Sequence, residues 1–354
     1  MDRQELHLLV RPNIRDLEPY RCARETVLKG VLLDANENPY PLMRHGAQVN
    51  RYPDPYQRVL RRVLAKKLGV DAANVLAGSG SDEVLDWIFK VFCDGRKDSI
   101  AVAHPTYGMY EVMARIFDVP VFDFELNQRF DFECDQFLRK VPENVNVLFL
   151  CSPNNPTGNL LNRNEIRKLL SNWSRIVVVD EAYLEFSGAE SMLNELSEFP
   201  NLIIMRTFSK AYARAGLRLG YAVADEIFID YFSRVKAPYN LNAMTQLEGV
   251  EALSSPAEDS RIGQITSERK RVEERLTALP EVRSVFPSDS NFLLFRTVGA
   301  TAVCRQLLSE GIVVRDRSSL PGLTDCIRVT IGTSEENNLF LERLQHHLEA
   351  QNHG

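Results

Sequence analysis

The sequence has little of what would direct it to a membrane, a metal or a nucleic acid. Its apolar runs, such as Ile176-Val177-Val178-Val179, are strand-sized, far short of the ~20 residues a spanning helix needs. Its six cysteines (Cys22, Cys93, Cys134, Cys151, Cys304 and Cys326) are widely spaced, with no Cys-x-x-Cys pair. That argues against a disulfide framework or thiolate metal site and fits a reducing cytoplasm. None of the six histidines forms a His-Glu-x-x-His pair, and His346-His347 is expected on a solvated terminal helix. No metal is therefore expected. Basic residues are the minority, Lys+Arg 42 against Asp+Glu 48, and the net charge of -6 disfavours nucleic acid and anionic membrane as partners. Met1-Asp2-Arg3-Gln4-Glu5 carries charge where a secretory signal needs an apolar stretch, so the expected location is the cytoplasm. What remains is an ordinary globular chain of 354 residues, 44% hydrophobic and 25% charged, long enough for about two domains.

Short β-branched runs alternate with amphipathic stretches through the middle of the chain. Val145–Leu150, Arg175–Asp180 and Asn201–Arg206 read as buried strands, with a helix near Asn164–Asn172 between the first two. Continuous apolar strands separated by helices predict an α/β fold with a mostly parallel sheet covered on both faces. Ligands of such sheets collect at the carboxyl ends of the strands. Upstream, Gly78-Ser79-Gly80-Ser81-Asp82-Glu83 leads into a helix with Leu85, Ile88, Phe89 and Phe92 on its apolar face, and Ser81 is the expected N-cap. The pattern changes after about Ala243: a charged amphipathic stretch from Pro256 to Leu279 precedes the strand-like Val282–Phe286 and Asn291–Phe295. The expected organisation is an N-terminal arm over 1–40 without a core of its own, a large domain over 41–245, and a smaller α+β domain over 246–354.

Three motifs follow the three strands: Ser152-Pro153-Asn154-Asn155-Pro156-Thr157-Gly158, then Asp180-Glu181-Ala182-Tyr183, then Thr207-Phe208-Ser209-Lys210 with Arg214 and Arg218 downstream. Each alone has a structural reading, as a turn, a helix cap or a solvated lysine. Together they fit one reaction. Lys210 can form a Schiff base with an aldehyde cofactor and later move a proton. Asp180 can keep a pyridine nitrogen protonated. Arg218 and Ser209 can bind a phosphate, with the N–H groups of Ser81 and Asp82 at a helix start. These are the parts of a pyridoxal-phosphate site.

The order Asn-Pro-x-Gly, Asp-x-x-Tyr, Ser-x-Lys and a following Arg resembles the fold-type-I aminotransferases, over essentially the whole chain. Asp34-Ala35-Asn36-Glu37-Asn38-Pro39, Arg51-Tyr52-Pro53, Pro105-Thr106-Tyr107-Gly108-Met109-Tyr110 and Leu217-Arg218-Leu219-Gly220-Tyr221 are similar to the histidinol-phosphate aminotransferases. Pro19-Tyr20 and the segment Ile327-Arg328-Val329-Thr330-Ile331-Gly332-Thr333 agree with that. The resemblance implies that Asn155 and Tyr183 hydrogen-bond the cofactor's phenolic oxygen. It implies that Tyr107 stacks on the ring, and that Tyr52 reaches the phosphate across a homodimer's two-fold axis. It also implies that Arg328 holds the substrate phosphate in one half-reaction and a glutamate carboxylate in the other. Arg315, Tyr20, Asn36 and Asn155 are further substrate-binding candidates on the same basis. The substrates so implied are histidinol phosphate, glutamate and 2-oxoglutarate, in histidine biosynthesis.

Three other readings share some of these residues. A phospho-amino-acid decarboxylase would use the same cofactor site and expel CO2, and an aromatic aminotransferase would differ only in preferred amine. A cofactor-sensing transcription regulator would need a basic DNA-binding segment, which this charge balance does not offer.

Overall fold

The computed structural model describes residues 1–20, 22–24, 30–45, 47–255 and 257–352; Pro256 and His353 lie outside them. Seven strands form the main sheet: β1 (Val75–Gly78), β2 (Ser99–His104), β3 (Val121–Glu125), β4 (Val145–Cys151), β5 (Ile176–Asp180), β6 (Leu202–Thr207) and β7 (Gly220–Val223). Their order is β1-β7-β6-β5-β4-β2-β3. β7 is antiparallel to both neighbours, and the other six run parallel. This is the mostly parallel sheet expected from the apolar runs.

The reason those runs are continuous lies in the pleat. Ile176 and Val178 enter one core with Val147, Phe149 and Ile203, while Val177 and Val179 enter the opposite core with Leu148, Leu150 and Ile204. Every residue of β5 is buried. Each such side chain stabilises by roughly 1.5–3 kcal/mol before the entropy of ordering it is subtracted. The strand is thereby fixed on both faces, and so is Asp180 at its carboxyl end.

A second, antiparallel sheet contains β8 (Val282–Phe286), β9 (Phe292–Thr297), β10 (Arg315–Asp316) and β11 (Cys326–Thr330), in the order β8-β9-β11-β10. Leu293, Phe295, Ile327 and Val329 pack against Val272, Leu276, Val303 and Leu344 from three covering helices. The alternate residues turn the other way: Phe292 meets Tyr183 and Ala211 of the large domain. Arg328 shares that face. The helix Ala243–Ser254 packs on Arg58–Leu68, with Gly249 against Leu60 and Leu219, and its Ala252 and Leu253 belong to the large domain's core. We accordingly propose that the large domain ends near Ser255 rather than at 245.

The N-terminal segment packs into the large domain's core rather than forming one of its own. Its first helix, Arg3–Leu9, opens with a capping box: Glu5 N–H donates to Asp2 Oδ1 at 2.8 Å and Asp2 N–H to Glu5 Oε2 at 2.7 Å. Leu6, Leu9, Val10 and Ile14 are buried in the same core as Phe92 and Phe149. Val31, Leu33, Tyr40 and Met43, by contrast, are exposed. Replacing Leu6 or Leu9 by Ala is expected to lower the free energy of unfolding by about 2–5 kcal/mol in urea titrations. A loss below about 1 kcal/mol would mean that this segment only drapes over the sheet.

Candidate active site

The loops leaving β4, β5 and β6 meet because their strands are adjacent and in register: Cys151 pairs with Asp180, and Asp180 with Met205. They surround a cavity of about 170 Å³ that also receives the start of the helix Ser81–Phe92. Asp180, Lys210, Asn155, Tyr183 and Tyr107 line it, as do Ser81, Asp82, Ser209 and Arg218. Residues far apart in sequence are thus brought to one place.

Asp180 is 4% exposed. Its Oδ2 accepts a hydrogen bond from the Tyr110 hydroxyl at 2.8 Å, and its Oδ1 accepts from Ala182 N–H at 3.1 Å. Both bonds favour the carboxylate, yet burial outweighs them and pushes its pKa up to about 6. The loop after it is tied down by a buried ion pair in which Arg206 Nη2 reaches Glu181 Oε2 at 2.8 Å. Glu181 Oε1 in turn accepts from Met192 N–H at 2.7 Å.

Lys210 lies on a bend beyond β6, three residues past its end at Thr207 rather than on the strand itself. Its Nζ stands 5.7 Å from the centroid of the Tyr183 ring. Burial among the cavity walls and the nearby Arg328 lower its pKa, opposed by Asp180. A lowered pKa increases the share of free amine, the nucleophilic form. Asn155 Nδ2 donates to Tyr183 Oη at 3.4 Å, and Arg328 Nη1 donates to Asn155 Oδ1. Asn155 therefore links the small domain to the cavity wall.

The helix start differs from expectation in one detail. Gly80, at φ +79°, is the N-cap, and Ser81 is the first helical residue. A Cβ at Gly80 would lie 2.6 Å from Arg218 Nη2, and one at Gly220 only 2.3 Å from Ser81 N. Glycine at both positions leaves the first-turn N–H groups bare beside the guanidinium of Arg218. Arg218 Nη2 also reaches Asp82 Oδ2 at 3.1 Å, and the Tyr107 hydroxyl donates to Asp82 Oδ1 at 3.4 Å. Asp82 thus enters the cavity by its side chain as well as its backbone. Ser209 Oγ accepts from Thr207 Oγ1 at 3.0 Å.

An outer cavity of about 350 Å³ shares Tyr107, Asn155, Tyr183 and Lys210 with the first and adds Arg315, Arg317 and Arg328. Three predicted residues are elsewhere. Tyr52 and Asn36 line a separate cavity of about 520 Å³, where Tyr52 stacks on Tyr239 at 4.4 Å. Asn36 has φ +54°, a turn conformation. Tyr20 is 77% exposed. Two residues of the site were given no role by the sequence pattern, Tyr110 and Arg317. The signal for Tyr110 was its i,i+3 spacing from Tyr107, and for Arg317 its i,i+2 spacing from Arg315.

The donor set fits pyridoxal phosphate. Asp180 is a desolvated carboxylate suited to a protonated ring nitrogen. Lys210 suits the aldehyde, Asn155 and Tyr183 a phenolate, and Arg218, Ser209 and the bare helix N-terminus a phosphate.

Comparison with known proteins agrees with this. Residues 20–344 match the family aminotransferase class I and II. The chain is 43% identical over 345 residues to the histidinol-phosphate aminotransferase of Parabacteroides distasonis, covering 97% of this chain and 99% of that protein. Among solved structures it is similar to the histidinol-phosphate aminotransferase from Clostridium acetobutylicum, with TM-score 0.79 and 25% identity over 85% of this chain and 92% of that one. It is also similar to L-threonine-O-3-phosphate decarboxylase from Porphyromonas gingivalis, with TM-score 0.73 and 28% identity over 85% of this chain and 91% of the other.

The raised pKa of Asp180 has a measurable consequence. Its folded value of about 6 exceeds the unfolded value of ~3.9. The folded state therefore binds this proton more tightly, and stability falls as pH rises from about 4 to about 6, then levels off. Asp180→Asn removes that ionisation; its amide oxygen can still accept from Ala182 N–H, while its amide nitrogen can only donate to the Tyr110 oxygen, so that bond reverses direction. Cofactor-free Asp180→Asn should be more stable than cofactor-free wild type at neutral pH, by on the order of 3 kcal/mol. The difference should vanish near pH 4 in urea titrations. A difference that does not change with pH would contradict this assignment.

Proposed function

Because the chain belongs to the class I and II aminotransferases, which depend on pyridoxal phosphate, we propose that it exchanges an amino group between L-histidinol phosphate and 2-oxoglutarate. The products are 3-(imidazol-4-yl)-2-oxopropyl phosphate and L-glutamate, and the pathway is histidine biosynthesis. One observation carries the choice of a phosphorylated amine: Arg315, Arg317 and Arg328 gather at the cavity that opens onto Lys210. None of the three forms an ion pair with a carboxylate among the described residues.

The cofactor supplies an aldehyde that takes up the amino group and a protonated ring that accepts the electrons left at Cα. The chain's own residues do the rest. Asp180 keeps the ring nitrogen protonated. The Tyr183 hydroxyl and Asn155 amide donate to the phenolic oxygen, while Arg218, Ser209 and the helix start at Ser81 hold the cofactor phosphate. Tyr107 packs against the ring. Lys210 Nζ carries the proton that leaves the substrate Cα. Arg328, with Arg315 beside it, binds the substrate anion, a phosphate in one half-reaction and a carboxylate in the other. The two substrates use the site in turn, so the kinetics are ping-pong.

The active unit in this reading is a homodimer in the cytoplasm. Tyr52 lines a cavity that shares no residue with the one around Lys210. It lies in a region where Val31, Leu33, Tyr40 and Met43 are exposed, a pattern typical of surfaces that associate. From there Tyr52 donates to the phosphate bound by the neighbouring subunit. Tyr20 and Asn36 are further substrate-binding candidates in this reading, Asn36 lining the same cavity as Tyr52.

A half-reaction experiment tests the assignment. Histidinol phosphate and glutamate, each added alone to the holoenzyme, are expected to bleach its visible absorbance. Lys210→Ala should still retain cofactor while turning over at least about 10²–10⁴-fold more slowly. If neither amine bleaches the enzyme, the proposal fails. Release of CO2 from a phosphorylated amino acid without any 2-oxo acid would assign decarboxylation in its place.

A further inference from the structure

Arg315 and Arg328 are direct cross-strand partners in the antiparallel pair β10/β11. Like charges placed opposite one another repel unless something of opposite sign lies between. Arg317 comes two residues after Arg315, on the same face of the strand. Its N–H donates to Cys326 O at 2.8 Å, which continues the pairing one step further. Its side chain lines the outer cavity with Arg328, Tyr183 and Lys210.

Two features show that the protein leaves part of these cations unsatisfied. The Nε groups of Arg317 and Arg328 are buried and have no hydrogen-bond partner. The carboxylate next to Arg317 is committed elsewhere: Asp316 accepts from Thr301 Oγ1 at 2.6 Å and from Ser318 N–H at 2.8 Å. Burial, with Arg315 beside it, lowers the pKa of Arg317, yet a guanidinium stays charged at any working pH. A half-buried cation without a counter-charge costs free energy, and an anion bound between the guanidiniums removes that cost.

We propose that Arg317 is a specificity-determining residue that makes the outer cavity prefer the dianionic phosphate of the amine substrate to the monoanionic carboxylate of glutamate. The inference rests on the reading of this cavity as the site both substrates share. A carboxylate offers two oxygens, which two guanidiniums satisfy. A phosphate offers three and carries nearly twice the charge once its second proton, with pKa near ~6, has left. The third guanidinium is therefore spare for glutamate and needed for the phosphate.

The test compares wild-type, Arg317→Gln and Arg317→Lys holoenzymes in the two half-reactions, with inorganic phosphate as a competitor of glutamate. Arg317→Gln should raise the histidinol-phosphate KM and the phosphate Ki about ten- to a hundredfold, the worth of one charged hydrogen-bonded contact. Those losses should exceed the change in glutamate KM by at least about tenfold, and Arg317→Lys should recover part of them. Wild-type affinity for inorganic phosphate should strengthen between about pH 6 and 8 as its dianion forms, and Arg317→Gln should lose most of that strengthening. Equal losses for phosphate and glutamate, or an unchanged phosphate Ki, would overturn the proposal. If wild type binds phosphate as expected but does not act on histidinol phosphate, the substrate assignment fails and the role of Arg317 stands.

Discussion

A carboxylate kept from water at the end of β5 is the constraint around which the rest of this structure is arranged. Asp180 ends a strand whose every residue is buried, and burial pushes its pKa up to about 6. Hydrogen bonds from Tyr110 and Ala182 favour its charged form without replacing a counter-ion. A protonated pyridine nitrogen is such a counter-ion. At ~4 Å and an effective dielectric near ~20 the attraction is about 4 kcal/mol, before the cost of desolvating the ring. Folding thus creates a charge that the fold does not neutralise, and two apolar cores on either side of the sheet hold it in place. Stability is given up at this position, and in the proposed reaction the cofactor's protonated ring supplies the missing counter-charge.

The neighbouring loops are anchored in the same spirit. Arg206 fixes Glu181, the residue after Asp180, so the turn carrying Tyr183 cannot move independently of β6. Arg328 donates to Asn155 Oδ1, and this decides which end of that amide faces Tyr183. An arginine of the small domain therefore orients a group of the large one. The same arginine is the substrate's anion partner in the proposed reaction, so anion binding and the cofactor's surroundings meet in one side chain.

The fold and most of the site were legible because the rules involved are local or topological. Four consecutive β-branched residues such as 176–179, bounded by polar breaks, fit a strand covered on both faces, and the strand-end rule then brings positions 155, 180 and 210 together. What was not legible depends on packing between distant elements. Ser81 has the chemistry of an N-cap, but the cap position takes φ +79° and ψ 167°, a conformation open to glycine and strained for other residues, and Gly80 takes it. Tyr110 reaches Asp180 across 70 residues, a contact that the spacing to Tyr107 suggests but does not aim. Leu6, Leu9, Val10 and Ile14 follow a helical period, yet nothing local says that their partner is the sheet's own core. Tyr52 and Asn36 line a different cavity from the one around Lys210, and Tyr20 is exposed.

The two cavities that share Lys210 differ in sign. The inner one contains Asp180 and Asp82 with Arg218 at its phosphate end, and the outer one is walled by three arginines. A zwitterionic cofactor with a cationic ring and an anionic tail matches the inner pattern, and a substrate whose charge is an anion remote from its amine matches the outer. Lys210 lies where the two fields meet: burial lowers its pKa most, Arg328 and Arg218 lower it further, and Asp180 and Asp82 raise it. A lysine placed there can give up its proton and regain it within one catalytic cycle, which the transfer of a proton from Cα requires. In the proposed reaction, the position of this amine between opposed charges lets one residue serve first as the cofactor's tether and then as the base.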